Sequence, residues 1–195
     1  MTLIFLIPAA YLIGAIPTGV LLTRLTGSAD IRNAGSGNIG ATNVYRVAGR
    51  TLGLLTLIGD CLKGVLPLLL TAQFYSADHT VLAQIAIAAF VGHCYPIYLR
   101  FKGGKGVATA LGIFLVLSPL SVLCALGLFI VVLWGWRYIS LASISAAALI
   151  PFLILSFEQS TSLFSATLLI AAIIIWRHRA NIERLRAGTE SRFSL

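Results

Sequence analysis

The sequence predicts an all-α membrane protein, a bundle of seven transmembrane helices with the amino terminus outside and the carboxyl terminus in the cytoplasm. Hydrophobic residues make up 58% of the 195 residues, and the mean hydropathy is +0.97. Both values exceed those of ordinary soluble domains. The charged residues are few and lie between long apolar runs. We therefore expect one integral membrane domain over residues 1–195.

Seven apolar runs give the helices of this prediction. A helix that crosses a bilayer needs roughly 20 residues, and five runs approach that length. The fourth and seventh have about 12 and 14 residues, so either could be a re-entrant or buried helix, or the seventh is completed by the more polar turns that follow it. Because Pro119 is tolerated at a helix start, the fourth and fifth form a tight hairpin, and we expect the seventh to continue past Trp176. The runs are Leu3 to Leu22, Leu52 to Leu70, Val81 to Leu99, Val107 to Ser118, Leu120 to Trp136, Ile139 to Leu155 and Leu163 to Trp176.

The basic residues set the predicted orientation. With the amino terminus outside, thirteen of the fourteen Lys and Arg residues fall in inner loops, and the outer turns carry only Asp78, His79 and Glu158. Positive residues collect on the cytoplasmic side of membranes, so seven crossings fit better than six. The net charge of +8 then reflects topology and anionic lipid, and we expect no nucleic-acid partner. No cationic segment precedes the first run, which favours a retained helix over a cleaved signal.

The first polar segment, "GSGNIGATNVYR", contains a G-x-G-x-x-G pattern. A dinucleotide fold is excluded because no strand–helix–strand unit surrounds it. Glycine backbone and helix-start N–H groups nevertheless favour an anion, and an arginine can bind a phosphate with two hydrogen bonds. The alternative is a glycine-rich turn whose arginine only sets topology. The candidate ligands for an anion here are Ser36, Asn38, Thr42, Asn43 and Arg46, with Thr42 and Arg46 on one helix face.

The second polar segment, "GHCYPIYLRFKGGKGVAT", places three glycines and two lysines directly before an apolar helix. It lacks the spacing of a nucleotide-binding P-loop, so an ATP site is not supported. It offers an anion-binding backbone at a helix start. The alternative is a basic loop at the membrane surface, and we interpret His93 as a structural hydrogen-bonding residue. The candidate ligands are Lys102, Gly103, Gly104, Lys105 and Gly106.

The third polar region joins the serines of "RYISLAS" to "RHRANIERLRAGTE", Arg177 to Glu190. If the last helix continues past Trp176, then His178, Asn181 and Leu185 lie on one stripe. The alternatives are small residues that only pack helices and a basic helix on anionic lipid.

One ionisable pair lies inside an apolar run. Asp60 and Lys63 are one turn apart in the second helix, where they can neutralise each other. Ionisable residues in membrane helices are often functional, but we expect a structural pair here.

Together these segments resemble the acyl-phosphate-dependent glycerol-3-phosphate acyltransferases, integral membrane enzymes that begin bacterial phospholipid synthesis. The three motifs are "SGNIGATNVYR", "GHCYPIYLRFKGGKGVAT", and "SLAS" joined to "HRANIERLRAGTE", in this order over essentially the whole chain.

The resemblance implies transfer of the acyl group of an acyl phosphate to the primary hydroxyl of glycerol 3-phosphate. Ser36 and Arg46 would bind glycerol phosphate and serve catalysis, and the glycines of "KGGKG" would bind the acyl phosphate. His178 and Asn181 would be active-site residues, whereas Glu190 would support the structure. The products would be lysophosphatidic acid and phosphate, with no metal or cofactor. We add Ser143 as a substrate-binding candidate.

An acyl phosphate already has a good leaving group, so a covalent enzyme intermediate is not required. We expect the inner polar segments to converge and hold two phosphorylated substrates by positioning and charge. The hydroxyl proton passes to the donor phosphate or to His178; a Ser36 nucleophile is disfavoured because no base neighbours it. We expect a monomer or weak homo-oligomer in the bacterial inner membrane. The rival functions are an organic-phosphate transporter, a non-catalytic assembly protein, and an acyltransferase using acyl-CoA or acyl carrier protein.

Overall fold

The secondary structure is entirely helical in the computed structural model, which describes residues 3–75 and 78–193. The chain consists of two compact units, unit 1 (Met1–Val116) and unit 2 (Leu117–Leu195). We call residues 26–40 the first loop and residues 100–106 the second loop. The helices are α1 Leu3–Gly14, α2 Thr18–Leu25, α3 Ala41–Ala48, α4 Arg50–Tyr75, α5 His79–Cys94, a 3-10 helix Ile97–Leu99, α6 Val107–Leu117, α7 Pro119–Trp136, α8 Ile139–Glu158, α9 Thr161–Arg177 and α10 Arg179–Arg186.

Four helical segments in the described residues are long and apolar enough to cross a bilayer: α4, α5 with the 3-10 helix, α7 and α8. Two bent pairs add one span each if each pair is a single broken span, giving up to six. Helix α6 is apolar but has only 11 residues. The all-helical membrane fold is confirmed, while seven crossings and the placement of the termini stay predictions.

The first apolar run is not the continuous helix that the sequence predicted. It bends by 46° between α1 and α2. Pro17 explains the break, because proline has no N–H and its ring collides with the preceding helical turn. Helix α2 restarts at Thr18, and its Arg24 is exposed near the start of the first loop.

Helix α5 lies at the centre of unit 1, where it packs against α1 and α4. Glycines permit the close approach: a Cβ at Gly14 would overlap the backbone of Ala89, and a Cβ at Gly92 the backbone of Tyr11. Asp78 caps the start of α5 by accepting from two backbone N–H groups. The end of α5 therefore has a fixed position, from which the chain enters the second loop.

An apolar cluster of unit 1 supports the first loop and also contacts the residue directly before the second loop. Its buried members come from α2, the first loop and α3, namely Val20, Ile31, Ile39 and Val44. Leu99, the last residue of the 3-10 helix before the second loop, packs against the same cluster. The second loop thus begins next to the cluster that supports the first loop.

In unit 2, α8 packs against both α7 and α9. Ser118 and Pro119 begin α7 as the sequence predicted. The seventh run, however, does not continue straight, because α9 and α10 differ in direction by 53°. The bend lies at His178, whose N–H donates to the carbonyls of Ile174 and Ile175 and thereby closes α9. Asn181 and Leu185 of the predicted stripe lie four residues apart on α10, while His178 lies at the bend that precedes this helix.

Candidate active site

Asn43 organises the first loop. Its Oδ1 accepts from the backbone N–H of Ser36 at 2.8 Å. Its Nδ2 donates to the carbonyls of Ile31, Ala34 and Asn38 at 2.9, 3.1 and 2.8 Å. The side chain is only 2% exposed. The amide is thus used inside the loop, where it fixes the backbone of Ser36, and a direct contact between Asn43 and substrate stays a prediction.

The remaining polar groups of this segment face outward. Ser36, Thr42 and Arg46 are exposed, and the last two lie four residues apart on α3, as expected. Asn38 is half-buried, and its Oδ1 accepts from the N–H of Gly40, the residue that precedes α3. In the first turn of α3, the N–H groups of Asn43 and Val44 donate to the carbonyl of Gly40, whereas those of Ala41 and Thr42 have no acceptor within the helix. The first loop and α3 therefore present two hydroxyl groups, one guanidinium and backbone donors.

Two glycines of the first loop are required by its shape. Gly35 and Gly37 have φ values of 60° and 69°, where other residues are strained. A Cβ at Gly35 would also overlap Oδ1 of Asn43.

A surface ion pair lies earlier in the first loop. Arg32 donates to both carboxylate oxygens of Asp30. These hydrogen bonds hold the pKa of Asp30 well below its usual value. Both side chains are substantially exposed, so the pair shapes the loop more than it stabilises the fold.

The second loop is pressed against the end of α5. The N–H of Gly104 donates to the carbonyl of His93 at 3.2 Å. A Cβ at Gly103 would overlap this carbonyl, one at Gly104 would overlap Nε2 of His93, and one at Gly106 would enter the ring of Phe90. There is thus no space for a side chain at any of these three glycines.

The two lysines of the second loop differ in exposure. Lys102 is exposed and Lys105 is half-buried, directly before the glycine that precedes α6. The side chain of Lys102 is therefore in solvent, whereas that of Lys105 is partly covered by the protein.

The predicted ion pair within α4 is present. Nζ of Lys63 lies 2.8 Å from Oδ1 of Asp60, and both side chains are almost completely buried. Nζ also donates to the carbonyl of Ile16 at 2.8 Å, at the break between α1 and α2. Nδ1 of His93 lies 3.9 Å from the same Oδ1. The pair therefore contacts two further elements of unit 1, which sequence spacing alone did not reveal.

Glu190 is the centre of the polar cluster of unit 2. Its carboxylate accepts from Ser140 at 2.9 Å, from Nδ2 of Asn181 at 2.7 Å and from Nε of Arg184 at 2.7 Å. Burial alone would raise the carboxyl pKa, but the hydrogen bonds from Asn181, Arg184 and Ser140 hold the pKa of Glu190 below its usual value. Glu190 thereby joins α8, α10 and the carboxyl-terminal segment.

His178 lies at the bend with a defined tautomer. Its ring is 3% exposed, and Nδ1 lies 2.8 Å from the carbonyl oxygen of Ile174. A carbonyl oxygen only accepts, so Nδ1 carries the hydrogen and the neutral ring has its lone pair at Nε2. Ser143 is buried on α8 and donates to the carbonyl of Ile139 at 2.8 Å, which leaves its oxygen able to accept.

The structure brings some of the predicted residues together within each unit. Ser36, Asn38 and Asn43 share the first loop, and His93 joins Gly103 and Gly104. Asn181 joins Glu190 in unit 2.

Two partners were missed by sequence reasoning: Arg184 and the carbonyl of Ile16. Ser140 was noted as one of the serines of "SLAS", but its hydrogen bond to Glu190 was not predicted. A backbone carbonyl gives no signal in a sequence.

The apolar helices and glycine-rich polar loops define a multi-pass membrane protein whose polar residues are concentrated in a few short segments. Among the residues described, no group of three or more His, Cys, Asp or Glu could hold a metal ion. The chain belongs to the glycerol-3-phosphate acyltransferase family, whose profile matches residues 4–188. The family resemblance of the three motifs is thereby confirmed.

Relatives and solved structures agree with this assignment. A glycerol-3-phosphate acyltransferase of Syntrophotalea carbinolica is 62% identical, covering 95% of this chain and 94% of the relative. One of Geobacter sulfurreducens is 57% identical, covering 97% of both chains. The crystal structure of PlsY, an integral membrane glycerol 3-phosphate acyltransferase, in its glycerol 3-phosphate form has a TM-score of 0.94 at 41% identity, covering 98% of this chain and 96% of that one. The lysophosphatidic acid form gives 0.92 at 40% identity, with 98% and 95% covered.

Proposed function

We propose that this protein transfers a fatty acyl group from an acyl phosphate to the primary hydroxyl of glycerol 3-phosphate, as a first step of phospholipid synthesis. The products are 1-acylglycerol 3-phosphate and inorganic phosphate. Relatives named for glycerol 3-phosphate, and a solved relative in glycerol 3-phosphate and lysophosphatidic acid forms, support the acceptor and product. One observation carries the proposal for two phosphorylated substrates: Leu99, the residue directly before the second glycine-rich loop, packs on the apolar cluster to which the first loop contributes Ile31 and Ile39.

The residues of unit 1 divide between the two substrates. Arg46, with Ser36, Asn38 and Thr42 beside it, binds and orients glycerol 3-phosphate, because a guanidinium can hold a phosphate with two hydrogen bonds. Lys102, Lys105 and the backbone of Gly103, Gly104 and Gly106 hold the phosphate of the donor. The cationic side chains offset the repulsion between the two phosphates, so the substrates can be held next to each other in the orientation that acyl transfer requires.

The acyl transfer needs no covalent enzyme intermediate. The primary hydroxyl oxygen attacks the acyl carbonyl carbon, and the bond between that carbon and the phosphate oxygen breaks. The hydroxyl proton passes to an oxygen of the departing phosphate, so the acceptor becomes an ester and the donor becomes inorganic phosphate. We favour this substrate-assisted route because the leaving group is itself a base.

A histidine base is the second candidate, and a specific observation favours it. The hydrogen bond at Nδ1 of His178 leaves the acceptor lone pair at Nε2. Asn181 and Ser143 are the further candidates of unit 2 for a contact with substrate. The pH profile of the rate for His178→Asn separates the two routes. An unchanged profile with a modest loss supports the donor phosphate as the base, whereas loss of an ionisation near neutrality supports His178.

The proposed setting is the bacterial inner membrane, crossed seven times, with the active site on the cytoplasmic side and no cofactor. The positive residues of the predicted inner loops support this orientation. Cysteine labelling from either side of oriented vesicles tests it. A cysteine in place of exposed Arg32, in a Cys124→Ser background, is expected to react only with reagent on the cytoplasmic face. Labelling from the outer face alone would contradict the orientation.

A donor panel with purified protein tests the reaction. We expect phosphate release and lysophosphatidic acid from acyl phosphate with glycerol 3-phosphate, and no turnover with acyl-CoA or acyl carrier protein. Turnover only with the latter donors would overturn the acyl-phosphate proposal. Solute uptake into liposomes without turnover would instead establish a transporter, and neither activity would favour a non-catalytic assembly role.

A further inference from the structure

An ion pair buried in a membrane helix is costly to maintain. Removing two charges from water costs several kcal/mol per ion, and the attraction within the pair repays this only with good geometry and further hydrogen bonds. Asp60 and Lys63 have both: they are 2.8 Å apart, and Lys63 also donates to the carbonyl of Ile16. The pair thus fixes α4 against the break between α1 and α2.

The same carboxylate faces a second element. Nδ1 of His93, near the end of α5, lies 3.9 Å from Oδ1 of Asp60, and the imidazole is buried. The side of the ring away from Asp60 is equally constrained, because its Nε2 lies where a Cβ of Gly104 would be. The imidazole therefore fills the space between the α4 carboxylate and the backbone of the second loop.

The backbone of His93 holds the loop as well. Its carbonyl accepts from the N–H of Gly104 at 3.2 Å, and it leaves no space for a side chain at Gly103. His93 therefore contacts the second loop through both its ring and its carbonyl. Lys105 is the next residue after this point of contact.

We propose that His93 is a positioning residue for the donor phosphate, held by the buried Asp60–Lys63 pair and setting where Gly103, Gly104 and Lys105 lie. The inference rests on the proposed function, in which the second loop binds the acyl phosphate. A displacement of about 1 Å at a binding group can lower a rate by about a hundredfold. Disturbing this contact should therefore affect the donor much more than glycerol 3-phosphate.

The test is a size exchange across the contact. Gly104→Ala places a methyl group against Nε2 and Cε1 of the ring. His93→Asn removes those two atoms while it keeps a polar atom close to the position of Nδ1. We expect G104A to raise the KM for acyl phosphate at least tenfold, with a change below about twofold for glycerol 3-phosphate. The double variant H93N/G104A should recover at least about threefold of a tenfold loss, roughly half of the expected effect on a logarithmic scale.

The second arm removes the charges of the pair. Asp60→Asn with Lys63→Met leaves neutral groups of similar size, a change that buried pairs often tolerate in stability. We expect this double variant to fold and to raise the KM for acyl phosphate about tenfold. Thr71→Val is the matched control, because Thr71 is also buried on α4 and bonds only to the carbonyl of Pro67 within its own helix. It should leave both KM values unchanged.

Each result decides one point. No recovery in H93N/G104A, or equal rises in both KM values, overturns the positioning role, and so does a wild-type donor KM in the charge-free variant. The Tm values of the wild type, G104A, H93N and H93N/G104A are measured without substrate, so they report the contact between His93 and the loop whichever acyl donor the enzyme uses. If the wild type fails to use acyl phosphate, the proposed function fails, and coupling in Tm alone then decides whether His93 fixes the loop.

Discussion

Replacing Asn43 by alanine should open the first loop without unfolding the protein. The substitution removes one acceptor and a donor shared among three carbonyls. A typical hydrogen bond contributes about 1 kcal/mol net, and two N–H hydrogens serve three carbonyls here, so we assign a loss of about 3 kcal/mol. Such a loss raises the open population of the loop on the order of a hundredfold, because about 1.4 kcal/mol corresponds to a factor of ten.

Limited trypsin digestion measures this opening directly. Arg32 lies within the loop and is exposed, so cleavage after it requires only that the surrounding backbone open. We expect Asn43→Ala to be cleaved there much faster than the wild type, and to bind glycerol 3-phosphate less tightly because the position of Ser36 is lost. Thr42→Ala, on the exposed face of α3, is the control for the cleavage rate. Wild-type cleavage of Asn43→Ala at Arg32 would refute the assigned role of the side chain.

Three further outcomes are expected. Arg46→Lys should lower kcat/KM for glycerol 3-phosphate about 10- to 100-fold, because a lysine cannot bind a phosphate in the bidentate way. Arg24→Lys, at an exposed position of α2, is the control and should leave kcat/KM unchanged. Equal effects of the two substitutions would contradict the role of Arg46 in binding the phosphate. Gly106→Ala should destabilise by about 2–5 kcal/mol in a Tm measurement, since φ is 84° and the Cβ would enter the Phe90 ring; Gly127→Ala, where a Cβ meets nothing, should be neutral or stabilising. Glu190→Gln should lower Tm above about pH 4.5, the usual pKa of a glutamate. The pKa of Glu190 in the folded protein is depressed, so its carboxylate stabilises the fold above about pH 4.5, and the difference in Tm between variant and wild type should shrink as the pH falls below 4.5. A difference in Tm that does not change with pH, or one equal to that of exposed Glu183→Gln, would argue against a stabilising role of the Glu190 hydrogen bonds.

The sequence predicted the helices well because hydropathy is a property of contiguous residues. Helices α4, α5, α7 and α8 begin within about two residues of their predicted runs, since the bilayer imposes an apolar length. The bend at His178 was not predictable in the same way, because no proline or glycine lies near it in the chain. It depends on hydrogen bonds at a helix end, and these leave no compositional signal.

The predicted polar residues show the same limit. Short polar residues beside glycines are typical of anion-binding segments, and this pattern found the first loop. It could not separate Ser36, which faces outward, from Asn43, which faces inward, since that difference depends on carbonyl groups up to twelve residues away. The Asp60–Lys63 pair was visible from its spacing, whereas its contacts to Ile16 and His93 join distant parts of unit 1.

His178 belongs to two helices at once: it ends α9, and its carbonyl accepts from Ile182 N–H in the first turn of α10. The direction of the imidazole and the angle between α9 and α10 therefore depend on the same backbone conformation at His178. Substitutions that alter the angle, even at neighbouring positions with no chemical role, will also turn the ring. Loss of activity from a change in this short stretch is chemical in origin only when the helix angle is shown to be preserved.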